Sequence, residues 1–298
     1  MQIYNNGLRA FIQSICAVIF GKIQSGKLGM VNNTLFMSIA AVIYIFVCEV
    51  VIFLHEVYAT EATRASGVTD LVAAYPDFII GVQGNNLLWR DGSKMNIDDG
   101  LPAKDFATLL QHPDIKDMFF LPYIPGRPIA APQLNEDPGR VRNEAFFKKM
   151  YGDCKNGEVL KRLRDVQWMP SHQGGTVKVT TINHVADELE KVVRELETLP
   201  DDSVRYLIPN AGTYTCRTIA GSEQASAHSY GIAIDINTKY SNYWRWPNPK
   251  SDPITYKNQI PFQIVDIFER HGFIWGGKWY HFDTMHFEYR PELLTIRP

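Results

Sequence analysis

The chain has 298 residues, 45% hydrophobic and 21% charged, with a formal net charge of −2; this is ordinary globular composition, with room for one large or two medium domains. There is no clustered Lys/Arg stripe, which excludes a charge-built nucleic-acid footprint. Four cysteines without a CxxC pair argue against a cysteine-rich structural zinc site.

Leu35 to Leu54 is an apolar run of about twenty residues, long enough to cross a hydrocarbon core of ~30 Å, and is interrupted by Ser38 and Glu49. Arg9, Lys22 and Lys27 precede it and Glu56 and Glu61 follow, so the positive-inside rule puts the N-terminus in the cytoplasm and the remainder outside. Residues 1–62 are therefore expected to anchor the chain in the inner membrane, or to form a long signal segment cleaved near Val57-Tyr58-Ala59. Either way the remainder faces the periplasmic or extracytoplasmic side of the cell envelope. A carboxylate such as Glu49 is costly at membrane depth, and a core helix is the competing reading. Export would make Cys154 and Cys216 a candidate disulfide tethering the loop before Arg217; two buried thiols are the alternative.

Residues 63–142 read as an N-terminal extension that packs against, or lies along the rim of, the later domain. Asp70 to Ala74 opens a helix, and DFIIGVQGNNLLWRDG reads as two short strands turning through Gly84-Asn85-Asn86. DFATLLQHPDIKDMF reads as helical and turns at His112-Pro113, while the prolines of Pro122 to Pro132 predict an extended wrapping segment. Within residues 143–298, Glu144 to Asp153 predicts a helix and Glu158 to Val166 another, with a strand at Gly175 to Val179. Ile182 to Leu199 predicts the clearest helix, with Val185, Leu189, Val192, Val193 and Leu196 on one stripe and Pro200 past its end. Val204 to Ile208 reads as a strand, and Ile264 to Arg270 as a helix stopped by Gly272.

The chemistry concentrates in CRTIAGSEQASAHSYGIAID, Cys216 to Asp235, and DTMHFEY, Asp283 to Tyr289. Period-two alternation puts Gly231, Ala233 and Asp235 on one low-bulk face, open to a ligand, and Ile232, Ile234 and Ile236 on the core face. Two imidazoles and one carboxylate, His228, His286 and Asp235, suit Zn²⁺ with a fourth position left for water. Asp283, three residues before His286, is then placed to act as the base on a zinc-bound water, and Arg217 to hold a substrate carboxylate or a developing oxyanion. Trp275 and Trp279 read as packing residues, and Glu288 as a supporting or surface acid. No serine has a lysine three residues on, and His55-Glu56 does not continue to HExxH, so the Ser-x-x-Lys and helix-borne zinc patterns are absent.

Ser226-x-His228-x-x-Gly231-x-Ala233-x-Asp235 followed by Asp283-x-x-His286 resembles the paired motifs of the VanY-type zinc D-alanyl-D-alanine carboxypeptidases and their L-alanyl-D-glutamate peptidase relatives, which share a fold with the hedgehog signalling domain. The resemblance covers roughly the last eighty residues. It implies an α+β domain over residues 143–298, a small antiparallel sheet with flanking helices, preceded here by the N-terminal apolar helix and the irregular extension. It also implies zinc at His228, Asp235 and His286, and an acidic base at Asp283. Ser226 matches the motif serine, expected as a support or substrate contact rather than a nucleophile, and His281, two residues from Asp283, is a further candidate substrate contact. The expected partner is a peptidoglycan stem peptide, cut at D-Ala-D-Ala. An L-alanyl-D-glutamate endopeptidase and a non-catalytic zinc-stabilised binding module are the alternatives.

Overall fold

Helix, hairpin and wrapping segments alternate along the chain in a computed structural model that describes Val50 and residues 67–294, except 102, 103, 129, 220 and 247–253. The chain divides into two units, Met1–Ala59 and Thr60–Pro298. Apart from Val50, the apolar run Leu35 to Leu54 lies outside the described residues, among which no helix is long and apolar enough to cross a membrane.

The described part begins with helix α1 (residues 67–74) and an antiparallel sheet of β1 (Ile79–Gln83), β2 (Asn86–Trp89) and β3 (Lys94–Asn96). Helix α2 (Phe106–Gln111) is capped by the Asp105 side chain, which accepts from Thr108 N, as Asn143 caps α3 (Glu144–Tyr151) by accepting from Phe146 N. Residues 120–128 form no helix or strand, as their prolines require. A second sheet pairs β4 (Leu163–Gln167) with β5 (Thr176–Thr180), and α4 (Val185–Leu196) packs its Val185, Leu189, Val192, Val193 and Leu196 stripe inward.

Two local expectations change. Instead of a helix over 158–166, a 3-10 turn at Leu160–Arg162 leads into β4, whose Val166 is buried opposite Val177. Val204–Leu207 is a single helical turn, α5, not a strand: only Leu207 is buried, so the alternation a half-buried strand needs is missing.

The third sheet has the order β6 (Ala233–Asp235), β8 (His286–Tyr289), β7 (Phe273–Trp275), with β8 in the middle and both pairings antiparallel. Its apolar face meets α6 (Phe262–Arg270), where Phe268 stacks on Phe287 with ring centroids 3.9 Å apart. Each such fully buried aromatic contributes about 1.5–3 kcal/mol by leaving water. One buried apolar cluster runs from Val68, Tyr75 and Trp89 through Tyr123 to Ile234, Phe268 and Phe287, so residues N-terminal to 143 share a core with those that follow. The architecture is mixed α and β, with three small antiparallel sheets among the described residues.

Candidate metal centre

Strand periodicity builds the site. On β8, His286 and Glu288 share one face while Phe287 points to α6, and the antiparallel register sets Asp235 directly opposite His286 and Ala233 opposite Glu288. The segment before the site extends this sheet: Gly212 bridges Asp235, with Asp235 N donating to Gly212 O at 2.9 Å and Ala211 N to Asp235 O at 2.7 Å.

His228 lies on a 3-10 turn, Ala227–Tyr230, that ends at Gly231 with φ +70°. Gly231 is not part of the strand face. A Cβ there would meet Leu163 Cδ2 at 2.8 Å and Thr180 N at 3.1 Å, and Gly231 O accepts from Thr180 N. The missing side chain therefore serves close packing against β5, rather than approach of a ligand as its small size suggested.

Each imidazole is held by its second nitrogen. His228 Nδ1 donates to the carbonyl of Thr213, leaving Nε2 buried without a hydrogen-bond partner among the described residues. His286 Nε2 reaches Glu288 Oε2 at 3.1 Å, and its Nδ1 lies 2.9 Å from Asp235 Oδ1. His228 Nε2 is 3.2 Å from the same oxygen. These three atoms converge, all within 4.8 Å of one another, in a group able to hold a metal ion. The edges of a tetrahedral site with bonds of ~2.0–2.1 Å measure about 3.3 Å, close to the separations seen. Nitrogen, nitrogen and carboxylate donors, a buried Nε2 that faces Asp235 without a hydrogen bond, and outer hydrogen bonds that fix each ring all fit a small divalent cation. A second acidic group, Asp98, Asp99 and Asp114, differs: the Lys104 ammonium sits 2.6 Å from Asp99 and 3.6 Å from Asp114.

Electrostatics follow from burial and pairing. Burial alone would depress His286, but its hydrogen bonds to Asp235 and Glu288 outweigh it and raise the ring to about 10. Burial opposes ionisation of Asp235, and the two imidazoles overcome it, holding the carboxyl well below its usual range. Glu288, buried but facing Arg142, His286 and Arg290, is lowered to about 2. It anchors a buried chain: Arg142 Nη1 and Arg290 Nη1 each lie 3.2 Å from Glu288, Arg290 Nε donates to Glu292, and Tyr75 Oη donates to Glu292 at 2.6 Å.

Asp283 sits in the tight turn entering β8, where His286 N donates to Asp283 O at 3.2 Å. Its backbone N donates to Gly276 O at 3.0 Å, and any side chain at Gly276 would press its Cβ to 2.7 Å from Asp283 O. Asp283 Oδ1 is buried without a hydrogen-bond partner among the described residues. Burial first, then the nearby Asp235 carboxylate, raises Asp283 to about 7, against the opposing charges of His286, Arg217 and Arg140. A carboxyl so placed both takes up and releases a proton near neutrality.

Arg217 is exposed on a loop held from two sides. Cys216 beside it forms a disulfide with Cys154, with Cα atoms 5.6 Å apart. Ser229 Oγ accepts from Arg217 N at 3.0 Å and donates to Arg217 O at 2.6 Å. Ser226 is buried, and its backbone N donates to Arg217 O at 3.0 Å. His281 is engaged elsewhere: its Nδ1 reaches Asp137 Oδ2 at 2.6 Å, its backbone N donates to Asp137 Oδ1 at 2.9 Å, and its ring meets Trp244 at 4.8 Å. Trp275 is fully buried, and Trp279 donates Nε1–H to Pro138 O while its ring lies 5.7 Å from that of His286. Thr213, Ser229 and Arg142 escape sequence reasoning because what they do depends on long-range contacts. Glu288 alone carries a signal, its two-residue offset from His286 on a strand.

Residues 220–289 match the profile of a family described as D-alanyl-D-alanine carboxypeptidase. Among curated proteins, no sequence matches the chain. The matched segment contains His228, Asp235, Asp283 and His286 and ends at Tyr289, whereas Arg217, Arg142, Thr213 and Cys154 lie outside it. The match supports a peptidase of that broad type, a class generally dependent on a metal ion.

Proposed function

We propose that this protein is a zinc-dependent peptidase acting on peptidoglycan stem peptides, as a D-alanyl-D-alanine carboxypeptidase. The observation that carries this reading is the convergence of His228 Nε2, Asp235 Oδ1 and His286 Nδ1, together with the unpartnered Asp283 Oδ1 in the same turn as His286. His228, Asp235 and His286 would hold the ion. Bound there, it would supply Lewis acidity, making a water nucleophilic near neutral pH and polarising the scissile carbonyl.

The remaining work belongs to the chain. Asp283 Oδ1 receives the proton of the attacking water and passes it to the leaving amine, so that the C–N bond breaks without releasing an unprotonated amide anion. Arg217, with its backbone pinned by Ser229 and Cys216, orients a substrate carboxylate through charge-assisted hydrogen bonds. Thr213 and Glu288 keep the two imidazoles in the tautomers that leave His228 Nε2 and His286 Nδ1 available. We place this activity in the cell envelope, a reading supported by the Cys154–Cys216 bridge, which suits an oxidising compartment.

The test is product identification by mass after incubating the protein with D-Ala-D-Ala peptides and with whole sacculi, with and without a chelator. Loss of terminal D-Ala from metal-loaded samples alone is expected; release of internal fragments would redirect the reading to an L-alanyl-D-glutamate endopeptidase. Asp283→Asn should keep its zinc and lose turnover by about 10²–10⁴-fold, whereas His228→Ala should lose both. Full activity in either variant overturns the assignment.

A further inference from the structure

The Cys154–Cys216 disulfide is open to solvent. Cys216 is exposed and Cys154 half-buried, and both line a cavity of about 250 Å³ together with Arg217. The charges around the bridge are unevenly satisfied. Glu144, Lys148 and Asp153 form a closed run of ion pairs, with Lys148 Nζ 2.7 Å from Glu144 Oε1 and 3.1 Å from Asp153 Oδ2. Lys155 and Arg217, both exposed, line the same cavity with no ion pair among the described residues, against one unpaired carboxylate, Glu223. Cations beside a disulfide favour both an incoming and a departing thiolate. Exposed bridges are the ones that thiols open, whereas bridges packed in a core resist them.

The bridge restrains the segment that leads from the metal centre to Arg217. Thr213 O accepts from His228 Nδ1, Thr215 N donates to His228 O at 3.3 Å, and Arg217 N donates to Ser229 Oγ at 3.0 Å. Residues 213–217 therefore run alongside the turn that carries His228. The disulfide is the covalent tie between this segment and the residues that follow α3. The other ties are hydrogen bonds: Ser229 Oγ holds Arg217, and Glu144 Oε2 accepts from Ala225 N at 3.2 Å. Opening the bridge leaves the hydrogen bonds of both imidazoles intact and gives the Arg217 backbone more freedom.

We propose that the Cys154–Cys216 bridge is a redox switch on substrate binding: a dithiol opens it in the folded protein and so weakens the hold of Arg217 on a substrate carboxylate. The first thiolate of the dithiol attacks Cys216 Sγ, the exposed sulfur. The S–S bond breaks, and Cys154 Sγ leaves with the electron pair and takes up a proton. The second thiol then attacks the mixed disulfide and frees Cys216, so that two electrons pass to the cysteines and the dithiol ends as its own disulfide. The opening rests on the bridge and its cavity alone. The effect on binding rests on the peptidase reading, through Arg217.

The test treats the full chain with dithiothreitol in the absence of denaturant, blocks free thiols with iodoacetamide, removes both reagents and reloads zinc. Mass is expected to show Cys154 and Cys216 alkylated in a protein that still melts cooperatively. On a D-Ala-D-Ala peptide its KM should rise about tenfold, as fits the loss of one charge-assisted hydrogen bond, with kcat little changed. Reoxidation of a reduced, unblocked sample should restore the original KM. A Cys154→Ser/Cys216→Ser variant should show the raised KM from the start and ignore the dithiol. A bridge that stays closed until denaturant unfolds the chain, an unchanged KM, or a kcat that falls together with zinc content overturns the switch and leaves the peptidase reading standing. If neither form cuts the peptide, calorimetric binding decides: about tenfold weaker binding to the opened form upholds the switch while the peptidase reading falls, and equal or absent binding overturns it.

Discussion

At the scale of single residues, a proton and a metal ion held as proposed would compete for one nitrogen, His286 Nδ1. In the metal-free protein His286 is an imidazolium between Asp235 and Glu288, and its value near 10 lies above the ordinary 6.5. Its contribution to stability is therefore complete below pH about 6.5 and is lost as pH rises toward 10. Asp283, raised from 3.8 to about 7, adds a loss of the same sign between those two values. The unfolding midpoint of the metal-free protein should thus fall as pH rises from about 6.5 to 10, and apparent metal affinity should rise from neutrality upward, because the ion must displace the His286 proton. Paired melting curves and metal titrations over this range check both trends, and a pH-independent affinity would count against His286 as a ligand. Arg142 acts through Glu288. Arg142→Met should weaken metal binding by about 10–100-fold and destabilise the fold by roughly 3 kcal/mol by leaving a buried carboxylate short of a partner; Arg142→Lys should recover part of the affinity. An Arg142→Met protein with unchanged metal affinity would remove the residue from the site. The two imidazoles, Asp235 and Asp283 were legible in the sequence because ligand chemistry restricts residue type and strand and turn geometry restrict spacing. Arg142 was not, since nothing local distinguishes it from Arg140 two residues earlier.

At the scale of elements, the disulfide and the Ser229 hydroxyl fasten the Arg217 loop to different parts of the fold. Cys154 follows α3, and 62 residues separate it from Cys216. Closing a loop of that length restricts the unfolded chain by about 4 kcal/mol in the chain-entropy view. A Cys154→Ala/Cys216→Ala double variant should lose stability of this order in denaturant titrations, and neither cysteine of the native protein should react with a thiol label until reductant is added. Prompt labelling of both would contradict the bridge. The amphipathic stripe of α4 was readable because five apolar residues agree with one period. The segments at 158–166 and 204–208 were misread because short apolar runs fit a strand or a helix equally well, and tertiary packing decides between them. Gly231 carried a true signal with the wrong cause: its small size was visible, but the neighbours that demand it, Leu163 and Thr180, come from β4 and β5.

At the scale of the whole molecule, the family match spans residues 220–289, while the supports of the site come from far outside it. Arg142 reaches Glu288, Asp137 holds His281, Tyr75 reaches Glu292, and Tyr123 Oη donates to Glu269 at 2.6 Å. A fragment of residues 143–298 would lose these partners and expose Phe268, Trp275 and their neighbours where Tyr75, Trp89 and Tyr123 now share the core. It is expected to show reduced ellipticity and no cooperative melt, whereas residues 60–298 should melt cooperatively. Cooperative unfolding of the shorter fragment would make the upstream residues an appendage. The sequence of residues 63–142 suggested packing against, or along the rim of, the later domain but not which contacts would hold it, because a buried ion pair looks in sequence like any two charges.

The pairing of Asp235 with His286 across β6 and β8 also bears on how the chain finds its native alignment. If β8 slid by a single position along β6, Phe287 would take the place of His286 and the stacked partner of Phe268 would be turned into the pocket. An ion able to bind only the correct alignment would then act as a proofreader of the sheet, retaining chains that have zipped up in step and letting go of those that have not.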